Sequence, residues 1–195
     1  MAGYGRGVFA ALGRDRSAAV EVARLIGGVA LVDVDNDGRD RPFDTLVIGD
    51  RRVAAGRAAD IGLYRVSVRP MRYQRRSWPP ETVTPGVMAV FAMVRRPDLT
   101  HEQADAHWRE IHAPLALRHH PGMWHYLQVS VDEVVAGPAY DGIALCGFAS
   151  EQELRERFFG GPEDRDIINA DVALFADVVR SPRRVRMAEW RFAEE

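Results

Sequence analysis

Trp108 and His112 stand one helical turn apart in the segment WREIHAPLALRHH, and Pro114 follows two residues later. At helical spacing an apolar stripe runs along this segment, made of Ala104, Trp108, Ile111 and Leu115. His112 lies beside that stripe and therefore borders the core. Because proline lacks an amide hydrogen and disfavours helical geometry in the residue before it, we expect the helix to bend or stop there. A neutral imidazole beside such a break can exchange protons near pH 7, although it could equally cap a freed backbone carbonyl.

The next segment, MWHYLQVS, has the alternation of a strand and places Trp124, Tyr126 and Gln128 on one face. If that face is turned towards the helices, Tyr126 and Gln128 meet His112 in a pocket walled by Trp108 and Trp124. Tyr126 could then donate a hydrogen bond to developing oxyanion charge. The alternative is purely structural, since buried tyrosines need a partner in any fold and tryptophans dominate core packing.

All six histidines fall between residues 101 and 125, which raises the question of a metal site. No HxxxH or HExxH spacing occurs among them, and His112 and His119 would lie about 10 Å apart along an unbroken helix. We therefore predict no metal site. His119, His120 and His125 are expected on the surface or in turns.

The composition excludes several mechanisms. All 26 cationic residues are arginines, so no lysine is present to form a Schiff base. The single cysteine, Cys146, excludes an intrachain disulfide and is expected in a core strand. The glycines of GYGRG precede the first predicted strand, the wrong order for a dinucleotide fingerprint. With a net charge of −2 and no long apolar run, we expect a cytoplasmic protein with no cofactor, no nucleic-acid partner and no membrane association.

Short motifs recur in the same order on both sides of a proline-rich segment, residues 77–86. The pairs are VFAALGR with VFAMVRR, FDTLVIG with YDGIALCG, and, more weakly, VRPMRY with VRMAEW. Ordered matches of this kind predict an internal duplication. We therefore predict two lobes, residues 1–76 and 87–195, joined by a linker over residues 77–86.

Helix-start signals lie between the predicted strands. Thr100 with Gln103, and Ser150 with Glu153, have the spacing of capping boxes. Each half then has the order β-α-β-β-α-β, which is ferredoxin-like. A four-stranded sheet with helices on one face leaves its other face bare, so the two halves can pack sheet to sheet in one α+β chain.

The segment from VFAMVRRPDLTHEQADAHWREIHAP to HYLQ, followed by DGIALCGF and FADVVRSP, resembles an EthD domain, a branch of the dimeric α/β-barrel superfamily. The resemblance spans roughly residues 87–192, and its most specific element is the Trp-x-x-x-His-Ala-Pro core beginning at Trp108. The first half lacks this core in its helix SAAVEVARLIGG. The resemblance implies a cavity between sheet and helices, functional residues at Trp108, His112 and Tyr126, and, with the duplication, an intrachain dimeric α/β-barrel of tandem ferredoxin-like repeats.

Members of this family occur in ether and aromatic degradation clusters, and fungal relatives are cofactor-free dehydratases or decarboxylases of polyketide-like compounds. The resemblance implies a cofactor-independent lyase or isomerase acting on a small aromatic or polyketide-like carbonyl compound. In this hypothesis His112 and Tyr126 are catalytic, and the substrate-binding residues are Trp108, Trp124 and Gln128. Two alternatives stay open: a non-catalytic binding or accessory protein, and a cofactor-free monooxygenase. The superfamily also favours a homodimer, whereas pairing of the two halves would allow a monomer.

Overall fold

A closed antiparallel barrel forms the centre of the molecule in the computed structural model, which describes residues 6–35, 39–50, 56–79 and 81–192. The strands in these residues are Arg6–Gly13 (β1), Val29–Asp33 (β2), Thr45–Gly49 (β3), Gly62–Arg72 (β4), Val87–Met93 (β5), Met123–Ala136 (β6), Gly142–Phe148 (β7) and Val185–Arg191 (β8). Around the barrel their order is β1-β3-β2-β8-β5-β7-β6-β4. The α+β class predicted from the sequence is confirmed.

Each half of the chain contributes four neighbouring strands to the barrel. Counted within its own half, each set has the order fourth, first, third, second: β4-β1-β3-β2 and β8-β5-β7-β6. The two sets join where β2 pairs with β8 and where β4 pairs with β6. No sheet edge is left open between the halves, because each set supplies partners for both edges of the other.

The helices cover the outer face of the barrel. Their bounds are Arg16–Ile26 (α1), His101–His107 (α2), Ala113–His119 (α3), Glu151–Glu156 (α4) and Pro162–Phe175 (α5). The predicted capping box at Thr100 and Gln103 is present in both directions, and the Ser150 hydroxyl accepts from the Glu153 amide. The second helix expected for the first half would fall near residues 51–55, which lie outside the described residues. None of the described helices combines the length and apolarity needed to cross a bilayer.

Side-chain alternation divides the core into an inner and an outer layer. Residues such as Leu31, Leu127 and Leu145 fill the barrel interior and are fully buried. A second layer lies outside the barrel, where α1 packs on the first set of strands. On the second set, helices α2 to α5 cover the strands, and Cys146 is buried there in β7 as expected. The outer layer of the second half contains the residues singled out by the sequence.

Candidate functional site

The helix predicted to break at Pro114 instead widens by one residue. Trp108–His112 form a π-helical turn between α2 and α3, and the Ala113 amide donates to the Trp108 carbonyl five residues back. Pro114 therefore falls in the first turn of α3, where a missing amide hydrogen is tolerated. The expected stop is corrected for this reason: the wide turn absorbs the proline, and the helix continues to His119.

The π turn also changes which side chains face the sheet. Ile111 was expected in the buried stripe, but half of its surface is exposed. His112 takes the inward position and is only 8% exposed. One extra residue in a helical turn rotates everything after it around the helix axis, and such turns recur at functional sites.

A cavity of about 240 Å³ lies between these helices and the outer face of β5, β6 and β7. Trp108, His112 and Tyr126 all line it, so the structure brings together three of the residues predicted from the sequence. Most of the remaining wall is apolar, with contributions from β5, β7 and α5. A largely apolar wall strengthens the electrostatic effect of the few polar groups within it.

His112 is held by a carboxylate from the facing helix α5. Its Nδ1 lies 2.7 Å from Asp171 Oδ2, and the other carboxylate oxygen lies 2.9 Å from His107 Nε2. Because a carboxylate accepts, His112 donates from Nδ1 and keeps the lone pair on Nε2. Burial lowers the pKa of His112 below its usual value, against the opposing effect of Asp171. His112 is therefore neutral near pH 7 and has the arrangement of a general base oriented by a carboxylate.

Tyr126 has the arrangement of a hydrogen-bond donor to the cavity. Its hydroxyl oxygen accepts from Trp108 Nε1 and from Gln128 Nε2, both at 3.1 Å. No described residue accepts the Tyr126 hydroxyl hydrogen, which leaves that hydrogen for a ligand. Burial raises the pKa of Tyr126, so the phenol stays protonated. Gln128 itself does not line the cavity; its amide also donates to the Trp108 carbonyl at 2.9 Å and so positions both aromatic residues.

Trp108 reaches the cavity because β7 has a glycine beneath it. A Cβ atom at Gly142 would lie 2.5 Å from Trp108 Cζ3, closer than atoms in contact can approach. On the other side, the Arg69 guanidinium lies 5.9 Å from the indole ring centre. The indole is thus fixed between a strand backbone and a cation.

Trp124, predicted to be the second aromatic wall, does not line the cavity. On β6, Met123 pairs with Phe148 and His125 pairs with Gly147, so Trp124 is an extra residue that forms a bulge. A bulge interrupts the alternation of side chains, and only the residues after it keep the predicted faces. The expectation that Trp124 shares the cavity face of Tyr126 is therefore corrected.

Two of the three histidines expected at the surface are buried. His120, 4% exposed, lines the cavity, and His125, fully buried, lies at the end of the barrel interior. The Gln74 amide donates to His125 Nδ1 at 3.1 Å, and the ring packs against Tyr73 at 5.3 Å. Burial lowers the pKa of His125 to about 3. These positions depend on helix and strand packing that spacing alone does not reveal.

His125 should make the fold sensitive to acid. Its folded pKa lies below its unfolded value, so the unfolded chain binds the extra proton as the pH falls below about 6.5. In the wild type we expect this group to lower the free energy of unfolding by about 1.4 kcal/mol per pH unit between pH 6.5 and 4. His125→Asn, which keeps an acceptor for the Gln74 amide, should remove this contribution. Urea denaturation at several pH values measures this slope. Tyr73→Phe is the control, and a slope unchanged by His125→Asn would contradict the assignment.

Asp171 is the functional candidate that sequence reasoning missed. It lies three residues after Ile168 and four before Phe175, both buried, so helical spacing places it on the inward face of α5. A carboxylate among the buried positions of this helix was the feature of the sequence that could have identified it.

Cys146 also lines the cavity, but burial raises the pKa of its thiol to about 12, so it is not a thiolate nucleophile. Within the described ranges, no group of three or more His, Cys, Asp or Glu residues is placed to hold a metal ion.

Comparison with known proteins identifies this region. Residues 96–178 match the EthD domain family, so the resemblance predicted for the C-terminal half is confirmed. The fold is similar to that of an anthrone oxidase-like protein, with 12% identity over 96% of this chain and 92% of that chain and a TM-score of 0.57. A heme-degrading enzyme from Listeria monocytogenes matches at 12% identity over 92% of this chain and 97% of that chain, with a TM-score of 0.46. No curated protein matches this sequence.

Proposed function

We propose that the chain is a cofactor-independent enzyme of lyase or isomerase type, which removes a proton from an activated carbon of a small aromatic or polyketide-like carbonyl compound. One observation carries the proposal: His112, oriented by Asp171, lines the same largely apolar cavity as Tyr126. A base and a hydrogen-bond donor that line one cavity are the two groups needed to form an enolate and to stabilise its oxygen.

In this mechanism His112 Nε2 takes the proton from the carbon next to the carbonyl group. The Asp171 carboxylate, 2.7 Å from Nδ1, stabilises the imidazolium that results. Tyr126 donates to the carbonyl oxygen, where negative charge develops. Return of the proton to another carbon completes an isomerisation, whereas its transfer to a departing β-hydroxyl group gives water and a dehydrated product.

The cavity limits the size of the substrate. An apolar cavity of about 150 Å³ accommodates benzene, so 240 Å³ suits a compound of one or two rings. Trp108 offers an aromatic face against which a planar ring can pack. The first alternative, a protein that only binds its ligand, needs an apolar wall but no base and donor in one cavity; the presence of both favours catalysis.

Cofactor-free oxidation is the second candidate function. The carbanion formed by His112 can reduce molecular oxygen, and conversion of a CH2 group to a carbonyl group then consumes one O2 and releases one water. The largely apolar wall of the cavity favours this second candidate, and the similar fold of an anthrone oxidase-like protein suggests it. Both candidates share the first step, which is proton removal.

We also propose that residues 1–76 are a degenerate ferredoxin-like lobe, residues 77–86 a linker, and residues 87–195 the lobe with the pocket. The identical strand order of the two halves supports the duplication. The first half has no counterpart of the Trp108–His112 core, so in this proposal it serves as scaffold and the functional pocket lies in the second lobe. Since the barrel closes within one chain, a homodimer is not needed to complete it.

Hydrogen exchange tests the proposed reaction at its first step. We expect the protein to accelerate deuterium incorporation from D2O into the α-carbon of 2-tetralone or anthrone under nitrogen, measured by NMR. The same assay in air, with an oxygen electrode, separates the two candidates. Exchange or product formation without oxygen uptake supports the lyase or isomerase function. Oxygen uptake coupled to oxidised product supports the second candidate, and neither activity across a panel of phenolic and β-keto compounds favours a binding protein.

A further inference from the structure

His120 is a second histidine of the cavity, and the proposed mechanism does not use it. It is the C-cap residue that follows α3, and its ring lines the cavity next to two phenylalanines, with ring centres 4.5 Å from Phe158 and 5.2 Å from Phe159. Its Nδ1 is bonded to the Phe158 carbonyl. Because that carbonyl can only accept, Nδ1 carries the hydrogen, and Nε2 is left with a lone pair.

The lone pair of His120 has no donor in the protein. No described residue lies within hydrogen-bond distance of its Nε2, although only 4% of the residue is exposed. Burial lowers the pKa of His120 to about 4, so the ring does not satisfy this nitrogen by taking a proton at neutral pH. His120 lines the cavity, so a ligand or water in the cavity can donate to this nitrogen.

His120 lies two turns after His112, about 12 Å along the helix axis. The acceptor is therefore displaced along the cavity from the base. We propose that His120 Nε2 accepts a hydrogen bond from a hydroxyl group of the substrate, on the part of the molecule remote from the carbon that His112 deprotonates. This inference rests on the proposed function for the position of the reacting carbon, but the binding preference itself does not require turnover.

The proposal narrows the substrate class to aromatic compounds that carry both a carbonyl and a phenolic hydroxyl group. Tyr126 donates and His120 accepts, so the two groups of the ligand are distinguished by their hydrogen-bonding roles. An analogue whose hydroxyl is methylated leaves His120 without a donor. Sites that bury such an acceptor reject ligands that lack the matching donor.

Equilibrium binding tests the proposal without depending on catalysis. The probes are 2-naphthol, 2-methoxynaphthalene and naphthalene, and binding is followed by quenching of tryptophan fluorescence and by calorimetry. We expect 2-naphthol to bind about 10- to 100-fold more tightly than either analogue. His120→Phe should remove this preference, His120→Gln should retain part of it, and His119→Asn, beside it but outside the cavity, should leave it unchanged.

Two outcomes would overturn the proposal. One is equal binding of 2-naphthol and its methyl ether by the wild-type protein, which would mean that the oxygen is recognised as an acceptor, by Tyr126, and not as a donor. The other is a preference that survives in a folded His120→Phe protein. If His120→Phe does not fold, the binding of the three probes is compared between His120→Leu and His120→Gln. An equal preference for 2-naphthol in these two variants overturns the proposal. A His112→Asn protein that keeps the preference but shows no exchange or turnover separates this inference from the proposed reaction.

Discussion

Replacement of His112 by asparagine is expected to lower kcat/KM by about 10²- to 10⁴-fold while the protein remains folded. The imidazole is the only cavity group that is both neutral near pH 7 and oriented by a carboxylate in the described residues, so its loss removes the proton acceptor. Asparagine keeps a donor for Asp171, which limits the loss of stability. Steady-state kinetics of exchange or product formation, together with the thermal midpoint, measure the two effects.

His107→Asn is the matched control for His112. His107 also bonds Asp171, at 2.9 Å, but does not line the cavity. We expect this variant to retain activity within a few-fold of the wild type. Equal activity of His112→Asn and wild type would refute the assignment of the base. In the wild type, kcat/KM should rise with pH to a plateau, with the midpoint below the usual histidine pKa because burial disfavours the protonated ring.

Tyr126→Phe is expected to lower kcat by about 10²- to 10³-fold with little change in KM. The hydroxyl hydrogen is directed to an oxygen whose charge develops in the transition state, and a bond that strengthens there contributes to kcat more than to binding. The same change leaves the buried Trp108 indole N–H without its acceptor, which should cost about 1–3 kcal/mol of stability. Assays well below the melting temperature keep these effects apart.

Tyr64→Phe makes the same chemical change at a place remote from the cavity. Tyr64 is fully buried in the barrel interior and donates to the Pro138 carbonyl at 3.0 Å. We expect the Tyr64→Phe variant to have a lower free energy of unfolding and an unchanged kcat. If Tyr64→Phe and Tyr126→Phe reduce kcat alike, the role of Tyr126 is structural and the donor assignment fails.

Local patterns predicted the parts of the site that depend on spacing within one element. The Thr100–Gln103 capping box is present, because it depends on atoms three residues apart. Tyr126 and Gln128 face the helices as strand alternation requires. The alternation fails at Trp124, because the bulge that displaces it results from pairing with β7 and has no mark in the sequence of β6 alone.

The positions of two histidines were also not predicted by local sequence patterns. His120 and His125 follow or precede turn residues, which made a surface position the natural expectation. Their burial depends on Phe158 and Tyr73, which come from other segments of the chain. The protonation behaviour of a histidine is decided by burial and neighbours, so neither pKa shift could be obtained from spacing.

The amino-acid sequence by itself determined the α+β class, the EthD core at Trp108 and His112, and the absence of a lysine nucleophile. Each of these is a property of residue type or of neighbours along the chain. Only the tertiary structure decided that Asp171 orients His112, that Tyr126 faces the same cavity, and that a π turn carries the helix through Pro114. The physical reason is that these arrangements join residues up to 59 positions apart, and their geometry is set by how the helices pack on the barrel.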